Sequence, residues 1–485
     1  MMLSGKWLNK KWLVLMFLLS VLVGTYAVGA SSIQDQRGEY FAMDLQGSQP
    51  NSLSPFAAQA CNADLNADGR TDATDLDWMV NAVLLDNPEN LCVDLNTDGH
   101  LNVLDLQFLI NLILNPPTGN TYYVSTSGSD SNDGSMERPW GSIMHAVRNS
   151  GAGDTVYVRG GTYSESEMWI RGSLGHGGEP GGMWTLAAYP GETVELTGRI
   201  VIEASWVRVS GFSMTGSSGI AVRPGSGVRP TNVEILNNRV TGTGYRYEAI
   251  SYRGDNGLIE GNFIEVNQSN TTDHGIYLHA GANNVVRNNY IKKAHGYGIH
   301  VYDEDKGYDY VHHYENVLIE NNTVNHTETR AGIVLGNGPE ISFDGVVIRN
   351  NVLVNNGTNG IQIQNYGGTF IRNVQIYNNT IYASHYALTI SAESGGSISN
   401  ITAKNNIFAA SDSSHIDSSG VTNVLLDHNL YWQPQSVGTG VSDDHPVYGD
   451  PLFLDASSGD FHLPPGSPAC GAGEAGVDIG AYACQ

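Results

Sequence analysis

The chain has 485 residues, 49 acidic and 24 basic, for a formal net charge of −25, and only 15% of its residues are charged. That length accommodates two or three domains with a sizeable core, and 40% hydrophobic residues exclude wholesale disorder. The acidic balance repels phosphate backbones and excludes a general nucleic-acid binder, while the small share of charged residues excludes a long coiled coil.

Residues 1–30 open with Lys6, Lys10 and Lys11, continue in an apolar run from about Leu13 to Val23, and end in Val28-Gly29-Ala30 before Ser31-Ser32. A basic head, a short apolar middle and a small-residue end predict a secretory signal peptide cleaved after Ala30. A retained anchor is the competing reading, because Trp12 to Ala30 is nearly long enough to span a bilayer. Cleavage leaves 21 basic against 49 acidic residues, a charge of −28. The expected destination is extracellular or the cell surface, with no further membrane segment. Residues 31–60 read as a linker. Cys61 with Cys92 and Cys470 with Cys484 are the simplest disulfide pairs by proximity, although four cysteines allow three connectivities.

Within residues 61–115, two segments align thirty residues apart. The first places oxygen-bearing side chains at Asp64, Asn66, Asp68, Asp72 and Asp75, with Gly69 at the sharp turn. The second repeats the spacing at Asp94, Asn96, Asp98, Asn102 and Asp105, with Gly99. Positions 1, 3, 5, 9 and 12 with glycine at 6 are EF-hand-like spacing for a hard cation that takes six to eight oxygens. Each loop runs into an apolar stretch, 76–85 and 106–114, expected to be helical. This duplicated pattern resembles the type I dockerin, which implies one calcium ion per loop and a cohesin-type scaffold domain as partner. Two departures weaken the second implication. Dockerins usually sit at the C-terminus, and loop positions 10 and 11, often Ser-Thr there, are Ala73-Thr74 and Val103-Leu104 here.

After a short linker at 116–121, residues 122–485 are dominated by repetition. Asn-Asn or Gly-Asn pairs recur at Asn237-Asn238, Gly261-Asn262, Asn288-Asn289, Asn321-Asn322, Asn350-Asn351, Asn378-Asn379 and Asn405-Asn406, and the series ends at His428-Asn429. Between them falls a small residue followed by alternating apolar positions: Gly219-Ile220, Ala249-Ile250, Gly275-Ile276, Gly298-Ile299, Gly332-Ile333, Gly360-Ile361 and Ala387-Leu388. Period-two alternation predicts strands, and Gly and Asn mark the turns. Short strands repeated every 23–33 residues bury a core only by stacking, so an all-β parallel β-helix follows. The asparagines are read as architectural: the first tolerates a left-handed turn, and stacked amides form a ladder.

The domain's opening, Tyr122 to Asp130, Asn132-Asp133-Gly134, Pro139-Trp140 and Asp154 to Tyr163, and its close, Gly449 to Phe453, Pro465 to Pro468 and Asp478 to Tyr482, resemble pectate-lyase-like right-handed β-helix proteins, including bacterial polysaccharide lyases. The resemblance implies a right-handed, single-stranded parallel β-helix. It does not fix the reaction, because this scaffold also hosts epimerases, hydrolases and adhesins.

With the isoleucines inward, alternate residues form two outward columns. One is Ala221, Ser251, Tyr277, His300, Val334, Gln362, Thr389; the other is Arg223, Arg253, His279, Tyr302, Gly336, Gln364, Ser391. Tyr277, His279, His300 and Tyr302 are therefore expected as one patch, with Arg253 and Arg223 on one side and Gln362 and Gln364 on the other. The longest excursion, Asp303 to Glu315, begins beside it. This chemistry suits an acidic sugar. Arg253 neutralises a uronate carboxylate, His279 or His300 takes the adjacent proton, and Tyr277 or Tyr302 donates to the leaving oxygen. Arg223, Gln362, Gln364, Lys306, Asp303, Asp273 and His274 complete the expected substrate contacts, with Asp273 and His274 orienting the base. The expected activity is β-elimination or C5-epimerisation of a uronate-containing polysaccharide by a monomer. A glycoside hydrolase needs two facing carboxyl groups, which only Glu248, Asp273, Asp303 or Asp305 supply. A non-catalytic glycan-binding β-helix is the third reading. The run Asp303, Glu304, Asp305, Asp309 lacks calcium-loop spacing and does not support a catalytic calcium.

Overall fold

A computed structural model describes Leu109 and residues 119–485, apart from 217–218, 243–247, 267–272, 280, 304–312 and 394–395. The two expected calcium loops, the expected Cys61 and Cys92 pair and the expected signal segment lie outside the described residues. Leu109, within the second stretch expected to be helical, is helical and fully buried.

From Thr155 onward a typical coil contributes one strand to each of three sheets, of 14, 12 and 11 strands among the described residues. In one mid-solenoid coil these are Val233–Leu236, Arg239–Thr241 and Ile250–Tyr252. Every pairing between these strands is parallel, with the next coil's strand lying directly alongside. The chain is a parallel β-helix.

Register follows from the alternating pattern, because a slip of one residue would turn the apolar set outward. Ile250 pairs with Ile276, Ile276 with Ile299, Ile299 with Ile333, Ile333 with Ile361 and Ile361 with Leu388. All six are fully buried and form the axial core of the third sheet. The cylinder is closed at its start by the Ile143–Asn149 helix, which buries Ile143, Ala146 and Val147. Its first backbone N–H groups, of Ile143 and Met144, donate to the Glu165 carboxylate at 2.7 and 2.9 Å. At the other end the Cys470–Cys484 disulfide ties the last turns together, and Gly480 N–H donates to the Asn405 carbonyl at 2.8 Å.

The asparagine pairs divide two tasks between the turn positions. The first residue is left-handed at each turn: φ is 54° at Asn237, 56° at Asn288, 54° at Asn321, 55° at Asn350, 54° at Asn378, 55° at Asn405 and 54° at His428. The second builds a continuous ladder inside the wall, from Asn238 through Asn262, Asn289, Asn322, Asn351, Asn379 and Asn406 to Asn429. In each step up to Asn429, the backbone N–H and the side-chain N–H of one asparagine donate to the Oδ1 of the next. For Asn322 to Asn351 the distances are 2.9 and 3.0 Å. Spare amide donors reach carbonyls of the preceding coil, as Asn322 Nδ2 does to Val286 at 2.9 Å. The turn between the first and second sheets thereby satisfies polar groups that water cannot reach.

Candidate active site

The outward columns of the third sheet stand in the expected register. Ser251 pairs with Tyr277, Tyr277 with His300, His300 with Val334 and Val334 with Gln362; Tyr302 pairs with Gly336, and Gly336 with Gln364. Neighbouring parallel strands lie about 4.8 Å apart, so side chains on adjacent rungs meet face to face. The Tyr277 ring stacks on His279 at 3.7 Å between centroids and on His300 at 4.3 Å. Tyr302 is parallel to His300 at 5.3 Å, with 7° between the planes. The four predicted rings form one contiguous stack on the outer face.

Two further tyrosines extend it. Tyr297 stacks on His300 at 4.5 Å, and Tyr366 meets Tyr302 edge-on at 6.1 Å. Tyr366 continues the alternation that puts Gln362 and Gln364 outward, so one more step of the period reaches it. Tyr297 stands in the loop before the Ile299–Asp303 strand, where no periodicity signals it.

Arg253 is expected to face the substrate, and it is instead 8% exposed and bonded to its neighbour. Its Nη2 lies 2.9 Å from His279 Nδ1, and His279 Nε2 lies 3.3 Å from Ser251 Oγ. A guanidinium only donates, so Nδ1 accepts and the ring proton sits on Nε2. Burial and then the Arg253 charge hold the His279 pKa well below its ordinary value. Burial, followed by the neighbouring His274, does the same to His300. His300 is 9% exposed, and its Nδ1 has no hydrogen-bond partner among the described residues. Both rings are neutral imidazoles at neutral pH.

Other predicted contacts are differently employed. Asp273 and His274, expected as groove residues, are 2% and 5% exposed. His274 Nδ1 accepts the backbone N–H of Tyr297 at 3.0 Å, and burial lowers its pKa to about 3. His274 also meets His300 edge-on at 4.4 Å, so it props the stack from beneath. The Arg223 charge is paired with Glu203 at 3.1 Å, and its guanidinium lies 4.6 Å from the Trp169 ring. Gln362 and Gln364 hydrogen-bond each other, and Asn359 Nδ2 donates to Gln362 Oε1 at 3.3 Å. The Val334 and Gly336 rung separates these amides from the stack. Lys306 lies outside the described residues, and of Asp303 only the backbone, ending its strand, is described. Glu248 stands beside the site with its carboxyl pKa raised by burial, and it feels the charge of Asp273.

Comparison with known proteins gives two family matches. Residues 122–406 match the model described as the Pel9A-like, right-handed beta-helix region, and residues 62–114 match the type I dockerin domain. Type I dockerins bind calcium and typically engage cohesins. The uncharacterized protein YwoF of Bacillus subtilis is 26% identical over 449 aligned residues, covering 73% of this chain and 92% of that protein. Pectate lyase PEL9 of Emericella nidulans is 40% identical over 76 residues, which is 16% of this chain and 18% of that protein. Among solved structures, pectate lyase Pel9A is 16% identical with a TM-score of 0.45, covering 76% of this chain and 98% of its own. No helix among the described residues is long and apolar enough to cross a membrane.

Proposed function

We infer the function from the premise that this chain belongs to the Pel9A-like right-handed β-helix family. We propose that it is an exported enzyme that cleaves a uronate-containing polysaccharide by β-elimination on the third sheet. The observation carrying this reading is His300. It is a neutral imidazole whose buried Nδ1 has no hydrogen-bond partner among the described residues, held between tyrosine rings and one rung from a His279 bonded to Arg253. The resemblance of one segment to a protein named a pectate lyase supports the same substrate class.

The proton on C5 of a uronate is made labile only if the adjacent carboxylate is neutralised, and Arg253 is one of the cations at the patch, with Arg330 5.7 Å from the Tyr297 ring. His300 takes the C5 proton, the C4–O bond breaks as the C4–C5 double bond forms, and a tyrosine hydroxyl, of Tyr277 or Tyr302, protonates the departing oxygen. The tyrosinate is then restored by the proton on His300, so no water is consumed. The depressed pKa keeps His300 unprotonated before substrate arrives. A bound carboxylate then raises it toward the working range. Tyrosine faces offer flat apolar surface for sugar rings.

A hydrolytic reading has one observation in its favour, the mutually repelling carboxyls of Glu248 and Asp273 beside Arg253. Incubating the protein with a panel of uronate polysaccharides separates the readings. β-Elimination yields the ultraviolet absorbance of an unsaturated uronate, and this is lost in His300→Ala and in one of Tyr277→Phe and Tyr302→Phe. Reducing ends without that absorbance establish hydrolysis, a changed proton spectrum without cleavage establishes C5-epimerisation, and retardation in affinity gels alone establishes a binding protein.

In the module at 62–114, Asp64, Asn66, Asp68, Asp72 and Asp75 are proposed to hold one calcium ion, and Asp94, Asn96, Asp98, Asn102 and Asp105 a second. Carboxylate and amide oxygens at this spacing suit that hard cation. A module of this kind would tether the enzyme to a cohesin-type domain outside the cell.

A further inference from the structure

We propose that Asp427, His428 and His445 form a site for a divalent transition-metal cation of the zinc class, which fastens the C-terminal cap to the last full coil. The repeat changes character here. The left-handed turn position occupied by asparagine at 321, 350, 378 and 405 is taken by His428, with the same φ of 54°. The buried ladder likewise ends on a carboxylate. Asp443 Oδ2 accepts from Asn429 Nδ2 and from the Tyr431 hydroxyl, each at 2.8 Å.

That ending fixes the third ligand. Asp444 N–H donates to the Leu426 carbonyl at 3.0 Å, and His445 N–H donates to Asp443 Oδ1 at 3.0 Å. The segment carrying His445 therefore lies alongside the end of the Thr422–Asp427 strand. Both imidazoles point at one atom: His428 Nδ1 is 2.7 Å and His445 Nδ1 is 2.8 Å from Asp427 Oδ1. The three ligand atoms all lie within 4.8 Å of one another.

Two nitrogens and one oxygen suit zinc and its first-row neighbours far better than calcium or magnesium. Bonds of about 2.0–2.2 Å in a tetrahedral arrangement set ligand atoms roughly 3.4 Å apart, so each ring must retreat by about half an ångström. The His445 side chain, 68% exposed, is free to do so and leaves a coordination position open to water. Lys404 approaches the other oxygen of Asp427, Oδ2, at 3.6 Å, and its charge is balanced by Glu474 at 2.8 Å.

The test uses the full chain in saturating calcium, which fills the oxygen-donor loops, with cobalt(II) as the optical probe. A saturable visible absorption band at one ion per chain is expected, discharged by zinc and accompanied by a rise in Tm through mass action. His445→Ala alters an exposed side chain, and His428→Asn restores the residue used at the other turns, so both variants should keep the parent's circular dichroism. Each should weaken cobalt binding at least tenfold and abolish the Tm rise. A band that fails to saturate, or that persists unchanged in either variant, overturns the assignment.

Discussion

Arg253 Nη2 sits 2.9 Å from Nδ1 of His279, which fixes the imidazole tautomer and ties this guanidinium to one of the two histidines of the stack. His279 is thereby a holder of Arg253, and His300 is left as the ring with an uncommitted nitrogen. Arg253→Met removes one of the causes that depress the His279 pKa, so that pKa should move upward toward its ordinary value. The elimination rate should fall by about 100-fold or more, the scale of losing a charge-stabilising donor. Proton NMR titration of the ring and the ultraviolet assay check the two halves separately. An unmoved His279 pKa would refute the coupling.

Acid should unfold the solenoid through the same rings. His274, His279 and His300 have pKa values depressed in the folded state, by burial above all, whereas in the unfolded chain each titrates near 6.5. Below that pH the unfolded state binds protons that the folded state refuses. The stability contributed by their neutrality is therefore complete above about 6.5 and lost as pH falls. The slope is roughly 1 kcal/mol per pH unit for each ring. Urea midpoints measured between pH 7.5 and 5 should drop steeply, and His300→Phe, which keeps a ring in the stack, should make the drop shallower by at most about one quarter, because His415, whose pKa burial lowers to about 4, adds a fourth ring to the three.

The ladder predicts a sharp asymmetry between adjacent asparagines. Asn322 is fully buried; its Oδ1 accepts two N–H groups from Asn289, and its own Nδ2 reaches Val286. Asn322→Ala strands those partners and should cost about 2–4 kcal/mol. Asn321, next to it, holds φ 54° and is exposed. Asn321→Gly should be nearly neutral, because glycine enters that region without penalty, while Asn321→Ala should cost about 1 kcal/mol. Chemical denaturation of the three variants decides it; equal losses at 321 and 322 would be incompatible with the ladder.

These contrasts mark how far the sequence is readable. The Asn-Asn recurrence and the small-apolar alternation are local patterns repeated in one register, so the coil count, the ladder and the meeting of Tyr277 with His300 all follow from them. Partner choice does not. Arg223 pairs with Glu203 on the preceding rung, and Arg253 with His279 on the next. Which neighbour a long side chain selects depends on burial that no periodicity encodes. Tyr297 escapes for a related reason, since a loop residue has no phase. The burial of Asp273 and His274 beneath the stack is a tertiary effect of the same kind.

Gly298 tests whether the small column before each third-sheet strand is a packing requirement. A Cβ there would lie 2.5 Å from Val324 Cγ1 and 2.6 Å from the Gly332 carbonyl oxygen. That oxygen accepts the Ile299 N–H at 2.9 Å, so it cannot retreat without breaking a rung. Gly298→Ala should therefore destabilise the protein by about 1–3 kcal/mol, the usual cost of overpacking. It should also slow turnover beyond what stability explains, because His300 stands two residues along the displaced strand. Gly151→Ala, where an added Cβ meets nothing within 4 Å, should leave the unfolding midpoint within about 0.5 kcal/mol of the parent's. Calorimetry and the elimination assay on both variants give the comparison. A Gly298→Ala protein as stable and as active as its Gly151→Ala counterpart would show that the coils tolerate spreading at the site.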